Sequence, residues 1–199
     1  MQPLAIRRLW YNDFRMNDEF DVLFEVTDRL EAAGIAYMVT GSIASAVYAV
    51  PRMTRDIDIV VQIGPADADA VIAAFKEDYY LDEESIHEAI RRRGMFNIIN
   101  QRTIIKVDFI VRKGEEYRIE EFTRRRQATF KGKAFWIAAP EDLILSKLLW
   151  VKESESELQF RDVKQLIHTV KELDGDYLRS RATQLGVADL LAKAVGHES

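Results

Sequence analysis

Three acidic side chains stand where an ordinary core strand has no use for charge. In the run Asp56-Ile57-Asp58-Ile59-Val60-Val61 two aspartates alternate with isoleucines. At strand spacing they leave one face together, with Cα atoms roughly 6.6 Å apart. Asp108 is a lone acid between Val107 and Phe109 in a second apolar run, 104–111. Like carboxylates held close repel, and burial sharpens the conflict by raising a pKa. Mg2+ would resolve it, because it takes carboxylate oxygens and keeps positions open for water and phosphate. Two such ions about 4 Å apart can activate an attacking oxygen and stabilise a leaving one. The plainer alternative is that Asp56 and Asp58 face water from an edge strand. Upstream, Gly41-Ser42 falls at a strand-to-helix junction. There, backbone N–H groups and a hydroxyl suit an anion, and glycine lets a phosphate approach.

The elements that must position these groups follow from periodicity. Residues 18–33 place Phe20, Leu23, Phe24, Thr27, Leu30 and Ala33 near helical spacing, with Gly34 as the stop. Residues 35–40 read as a short strand, and 43–50 as an apolar helix with Ser42 as N-cap and Pro51 as terminator. From Arg55 the period becomes two: Ile57, Ile59, Val61 and Ile63 line the face opposite the acids. Helices are expected over 66–76 and 83–93, and a hairpin over 95–100 and 103–111. A helix over 115–126 ends in Arg124-Arg125-Arg126, and Lys131-Gly132 joins a second hairpin. From Pro140 onward the pattern is helical, at 141–152 and 157–173, with one or two more helices over 177–194. The acidic stretch 153–157 divides a catalytic α/β part, residues 1–152, from a C-terminal helical region, residues 153–199.

Thr40-Gly41-Ser42, Asp56-Ile57-Asp58-Ile59 and Val107-Asp108-Phe109 together resemble the signature of the DNA polymerase β-like nucleotidyltransferase superfamily. The wider string from Gly41 to Val61 looks most like its small stand-alone bacterial members, including those related to type IV abortive-infection toxins. The resemblance implies an α/β fold of the α+β kind: a mixed β-sheet core with flanking helices and a C-terminal helical portion. It implies Mg2+ at Asp56, Asp58 and Asp108 in a two-metal site, with an NTP as donor. A nucleoside monophosphate would pass to an acceptor hydroxyl with release of pyrophosphate. Asp108 would also assist deprotonation of that hydroxyl. Gly41 and Ser42 would meet the phosphates, and Arg52, Arg55 and Lys147 are further candidates for nucleotide contact. Lys147 is equally readable as a surface lysine with a buried stem. Asp162 lies in a segment that completes the nucleotide pocket in some relatives. The acceptor is open between tRNA or another RNA end, a protein hydroxyl and a small molecule, and the toxin relationship brings an antitoxin partner into view. The rival reading is a nucleotide-binding or regulatory module of the same fold without catalysis.

The bulk numbers bound these readings. The chain has 199 residues, 48% hydrophobic and 31% charged, with a net charge of −5, ordinary for one substantial globular core. The acidic balance argues against a protein that coats nucleic acid. There is no cysteine, so disulfides, thiolate metal sites and cysteine nucleophiles are excluded. No stretch reaches the roughly 20 apolar residues of a membrane span, and the first residues lack the apolar core of a signal peptide. The expectation is a soluble, cytoplasmic protein with no membrane partner. Arg91-Arg92-Arg93 and Arg124-Arg125-Arg126 are read either as RNA-backbone contacts or as solvated helix ends. Trp136 and Trp150 are expected in the core. Lys106, on the face of Asp108, either neutralises charge near the site or marks the strand's exposed end.

Overall fold

The structure, a computed structural model, describes residues 4–5, 14–49 and 56–196. Among these residues eight strands form one mixed sheet: β1 (Leu4–Ala5), β2 (Ala36–Val39), β3 (Asp56–Gln62), β4 (Tyr79–Tyr80), β5 (Met95–Asn100), β6 (Lys106–Val111), β7 (Arg126–Phe130) and β8 (Lys133–Ile137). Their spatial order is β1-β7-β8-β2-β3-β6-β5-β4. The helices are α1 (Phe14–Ala32), α2 (Gly41–Tyr48), α3 (Ala68–Phe75), α4 (Glu83–Arg92), α5 (Glu116–Thr123), α6 (Pro140–Ser154), α7 (Glu157–Thr169), α8 (Gly175–Gln184) and α9 (Ala188–Val195). This is the α+β fold expected from the sequence.

β3 is the pivot of the sheet. It pairs antiparallel with β2 and parallel with β6. Ile57, Ile59 and Val61 from β3, with Val107, Phe109 and Val111 from β6, are buried on one face. That face is covered by helices: the Phe75 ring of α3 lies 5.7 Å from Phe109, and α1 and α4 pack on β2 and β5. Near β8 the rings of Phe20 and Phe24 from α1 meet Phe130 and Phe135, with Phe20 and Phe130 centroids 4.1 Å apart. On the opposite face α2 packs against β3, and α6 and α7 pack against α2. One cluster of buried apolar side chains runs from Phe20 through Val163, Leu166 and Leu178 to Ala194.

Local chemistry explains the boundaries. Gly34 adopts φ +69° where α1 stops, a backbone state open to glycine. Lys131 and Gly132 both have positive φ, and Phe130 pairs with Lys133, the two-residue turn whose twist suits a hairpin. The first hairpin also forms, but β6 begins at Lys106 rather than 103. The Asn100 Oδ1 atom accepts hydrogen bonds from the Arg102 and Thr103 N–H groups and the Thr103 hydroxyl, which winds 101–105 into a turn.

Three expectations are corrected. The helix predicted over 115–126 ends at Thr123, and Arg126 opens β7. The arginine run is a half-buried, engaged group, not a free helix end. Arg124 pairs with Asp142 at 2.8 Å and with Glu141 at 3.4 Å, Arg126 reaches Glu141 at 3.4 Å, and Arg125 lies over the Phe122 and Trp136 rings. Trp150 is 61% exposed, because α6 packs through Leu143, Ile144, Leu148 and Val151 and leaves Trp150 on the remaining side.

Phe20 is fully buried in the aromatic cluster. Phe20→Ala should therefore cost about 3–5 kcal/mol of folding stability through lost burial and the cavity left behind. Denaturant titration checks this, and a loss within 1 kcal/mol would show that α1 is not held through this ring.

Candidate active site

The parallel register of β3 and β6 sets Asp58 beside Asp108 and Asp56 beside Lys106. Residues level with one another on adjacent strands share a face, so all three acids leave the sheet on the side of α2. Asp108 is 7% exposed, while Asp56 is open to solvent. The alternation seen in the sequence positions them: the opposite face is apolar and locked in the core, which leaves the acids no other orientation.

Gly41 and Ser42 lie against this face in the first turn of α2, whose N-cap is Thr40, two residues before the expected Ser42. Gly41 has φ +61°, and a Cβ placed there would overlap the Asp58 carboxylate. The glycine is thus required twice, for its backbone and for the room it leaves. The Ser42 N–H donates to the Asp58 carboxylate, and the Thr40 N–H donates to the Asp58 carbonyl at 2.9 Å. The close approach read from the sequence as phosphate to glycine is, within the chain itself, that of an aspartate to glycine. Arg52 and Arg55 lie outside the described residues.

Electrostatics mark Asp58. Burial, then the charges of Asp108 and Asp56, push its pKa up to about 6, against the lowering effects of the Ser42 N–H and the positive charge of Lys147. Lys106 answers part of the repulsion: its Nζ lies 2.8 Å from Asp108 Oδ2 and 3.5 Å from Asp56 Oδ1. The hydrogen bond to Asp108 raises the lysine's own pKa. Asp108 Oδ1, in contrast, is buried and has no hydrogen-bond partner among the described residues. Such an orphan oxygen is costly.

Among the described residues no three His, Asp or Glu side chains converge as a ready ligand group, because Asp58 turns toward α2 and Lys106 lies between the other two acids. The face nevertheless fits a divalent cation. Its donors are hard carboxylate oxygens, one of them orphaned and another on an acid with a raised pKa.

Lys147 is buried in α6, not a surface lysine. Its Nζ donates to Asp162 Oδ2 at 2.9 Å and Gln159 Oε1 at 2.7 Å, a pairing across α6 and α7 that the sequence did not foretell. Asn97 on β5 is level with Asp108 and exposed, so its amide borders the acids. It carries no signal in the sequence, because nothing there fixes the hairpin register.

No family model matches the sequence, and neither does any curated protein. Solved structures do match. The antibiotic-resistance factor ANT(2'')-Ia superposes with a TM-score of 0.60 at 14% identity, over 91% of this chain and 99% of its own. An antigenic nucleotidyltransferase-like protein from Paracoccidioides brasiliensis gives 0.55 at 16% identity, over 91% and 94%. The lincosamide antibiotic adenylyltransferase LnuA, with lincomycin bound, gives 0.53 at 14%, over 75% and 97%.

Asp58 has a folded-state pKa above its unfolded value, so its ionisation costs stability. Its contribution is most favourable below about pH 4, is lost as pH rises through about 6, and is flat above that. Asp58→Asn, which keeps an acceptor for the Ser42 N–H, should remove that slope and stabilise the protein by about 2–3 kcal/mol at pH 7.5 without divalent ions. Thermal melts across pH 4–8 measure it, and an unchanged slope in the variant would show that Asp58 is not the strained acid.

Proposed function

From the premise that this chain has the nucleotidyltransferase fold, we propose that it is a divalent-cation-dependent nucleotidyltransferase. It moves a nucleoside monophosphate from an NTP to an acceptor hydroxyl and releases pyrophosphate. The observation that carries this reading is the register that brings Asp58 and Asp108 side by side, with Asp56 two residues away on the same face. A fold alone assigns no activity; paired carboxylates, Asp108 buried and Asp58 half-buried, facing a glycine-opened helix supply the chemistry.

Asp58 and Asp108, with Asp56 at the rim, hold the cation. Bound there, it would supply charge neutralisation for the triphosphate and polarise the α-phosphorus. The start of α2, at Gly41 and Ser42, presents its positive helix end to the donor. The positive charge of Lys147 reaches the same place, as its effect on Asp58 records. Arg52 and Arg55, just upstream of β3, belong to the donor side of this proposal. The acceptor hydroxyl approaches beside Asp108, whose carboxylate takes its proton. The acceptor oxygen bonds to the α-phosphorus as the bond from that phosphorus to the bridging oxygen breaks, and the electron pair leaves with pyrophosphate. Such transfer depends on positioning and charge stabilisation more than on covalent chemistry by the protein. The structural neighbours include an adenylyltransferase of lincosamide antibiotics, so a small hydroxylated molecule is among the acceptors to try, beside RNA ends and protein hydroxyls.

The test incubates the protein with each α-labelled NTP, Mg2+ and a whole-cell extract. Label should appear on one class of acceptor together with pyrophosphate. Asp108→Asn, which preserves shape, should lower the rate at least about 100-fold, the scale of losing a general base. Tight NTP binding with no pyrophosphate from any extract would instead identify a binding module that has lost catalysis.

A further inference from the structure

We propose that Lys106 is a built-in cation of this centre, so that the acid face takes a single divalent ion where three carboxylates would otherwise hold two. The inference rests on the reading of this face as a metal centre.

The assignment follows from which carboxylate oxygens are already served. Lys106 Nζ contacts Asp108 Oδ2 at 2.8 Å and Asp56 Oδ1 at 3.5 Å, so its ammonium occupies the gap between these two acids. The register holds it there, since Lys106 is level with Asp56 on the neighbouring strand and two residues before Asp108 on its own. All three side chains therefore point the same way at adjacent positions. In the other half of the face no ammonium or guanidinium among the described residues touches a carboxylate oxygen: Lys147 acts on Asp58 only through its charge and is itself paired with Asp162. Asp108 Oδ1 is buried and without a hydrogen-bond partner among the described residues. The adjacent Asp58 carboxylate receives the Ser42 N–H, which carries only a partial charge. One divalent ion between Asp58 and Asp108 Oδ1 completes the balance: three negative carboxylates face a dipositive ion and one ammonium. A second divalent ion at Asp56 and Asp108 Oδ2 would have to expel the lysine, at the cost of a charge-assisted hydrogen bond. Because an ionised carboxylate offers about four acceptor positions, Asp108 can hold lysine and metal and still meet an acceptor hydroxyl.

The experiment counts Mn2+ bound to the intact protein by electron paramagnetic resonance, with thermal melts alongside. Wild type should bind one ion. Lys106→Met should bind two, and Lys106→Arg, which keeps the charge, should bind one. Without metal, Lys106→Met should melt below wild type, and Mn2+ should raise its midpoint by more than it raises that of wild type. Asp58→Asn should lose the wild-type ion. Two ions on wild type, or one on Lys106→Met with a native circular-dichroism spectrum, would overturn the lysine assignment while leaving the metal centre standing. No Mn2+ on wild type would overturn both.

Discussion

Asp58 and Asp108 stand level on neighbouring parallel strands, and their mutual repulsion is the constraint to which this end of the molecule is fitted. Unit charges one strand spacing apart, about 4.8 Å, repel by about 3.5 kcal/mol at an effective dielectric of 20, a sizeable part of a typical domain's 5–15 kcal/mol. The chain tolerates this because several devices act together. The apolar far face of β3 and β6 fixes the strands against α1, α3 and α4. Gly41 leaves room for the Asp58 carboxylate, and the Ser42 N–H meets it. Lys106 bridges the outer acids. Lys147 brings positive charge from α6, and Asp162 balances that buried lysine. Each device offsets part of the cost of keeping these acids together.

Much of this was legible in the residues. Period-two alternation around Asp56 and Asp58 gave both the strand and its apolar face, and the lone Asp108 between Val107 and Phe109 did the same for its partner. What could not be read was register. A shift by one residue would have sent Asp108 to the other face, and no local pattern distinguishes the two pairings. Asn97 was hidden for that reason. Lys147 was ambiguous because a lysine in ILSKLLW fits a surface position as well as a buried one; only Asp162 and Gln159, from another helix, decide it. The arginines at 124–126 look like a solvated helix end until α6 supplies Glu141 and Asp142.

That last group ties the C-terminal helices to the sheet. Asp142 accepts from Arg124 at 2.8 Å and from the Tyr177 hydroxyl at 2.7 Å, while the Asp174 N–H donates to Glu141 at 3.1 Å. Next to it, Glu121 accepts from Ser146 at 2.6 Å and from Arg118 at 2.8 Å. Buried ion pairs add little net stability but penalise any arrangement that separates them. The set therefore fixes where α6 lies against α5, β7 and α8. Lys147 sits on α6, so the placement of a charge near Asp58 depends on carboxylates elsewhere on that helix.

The sheet also ends in an unusual way beyond β5. Its last strand, β4, is only Tyr79–Tyr80, and Tyr80 is exposed while Tyr79 is buried against Phe75. A longer margin would offer a ladder of unused amides to any extended peptide and invite copies of the chain to join side by side. Two residues offer almost none. The acid-bearing strands β3 and β6 thus lie inside the sheet, and this border offers no seam for fibril growth.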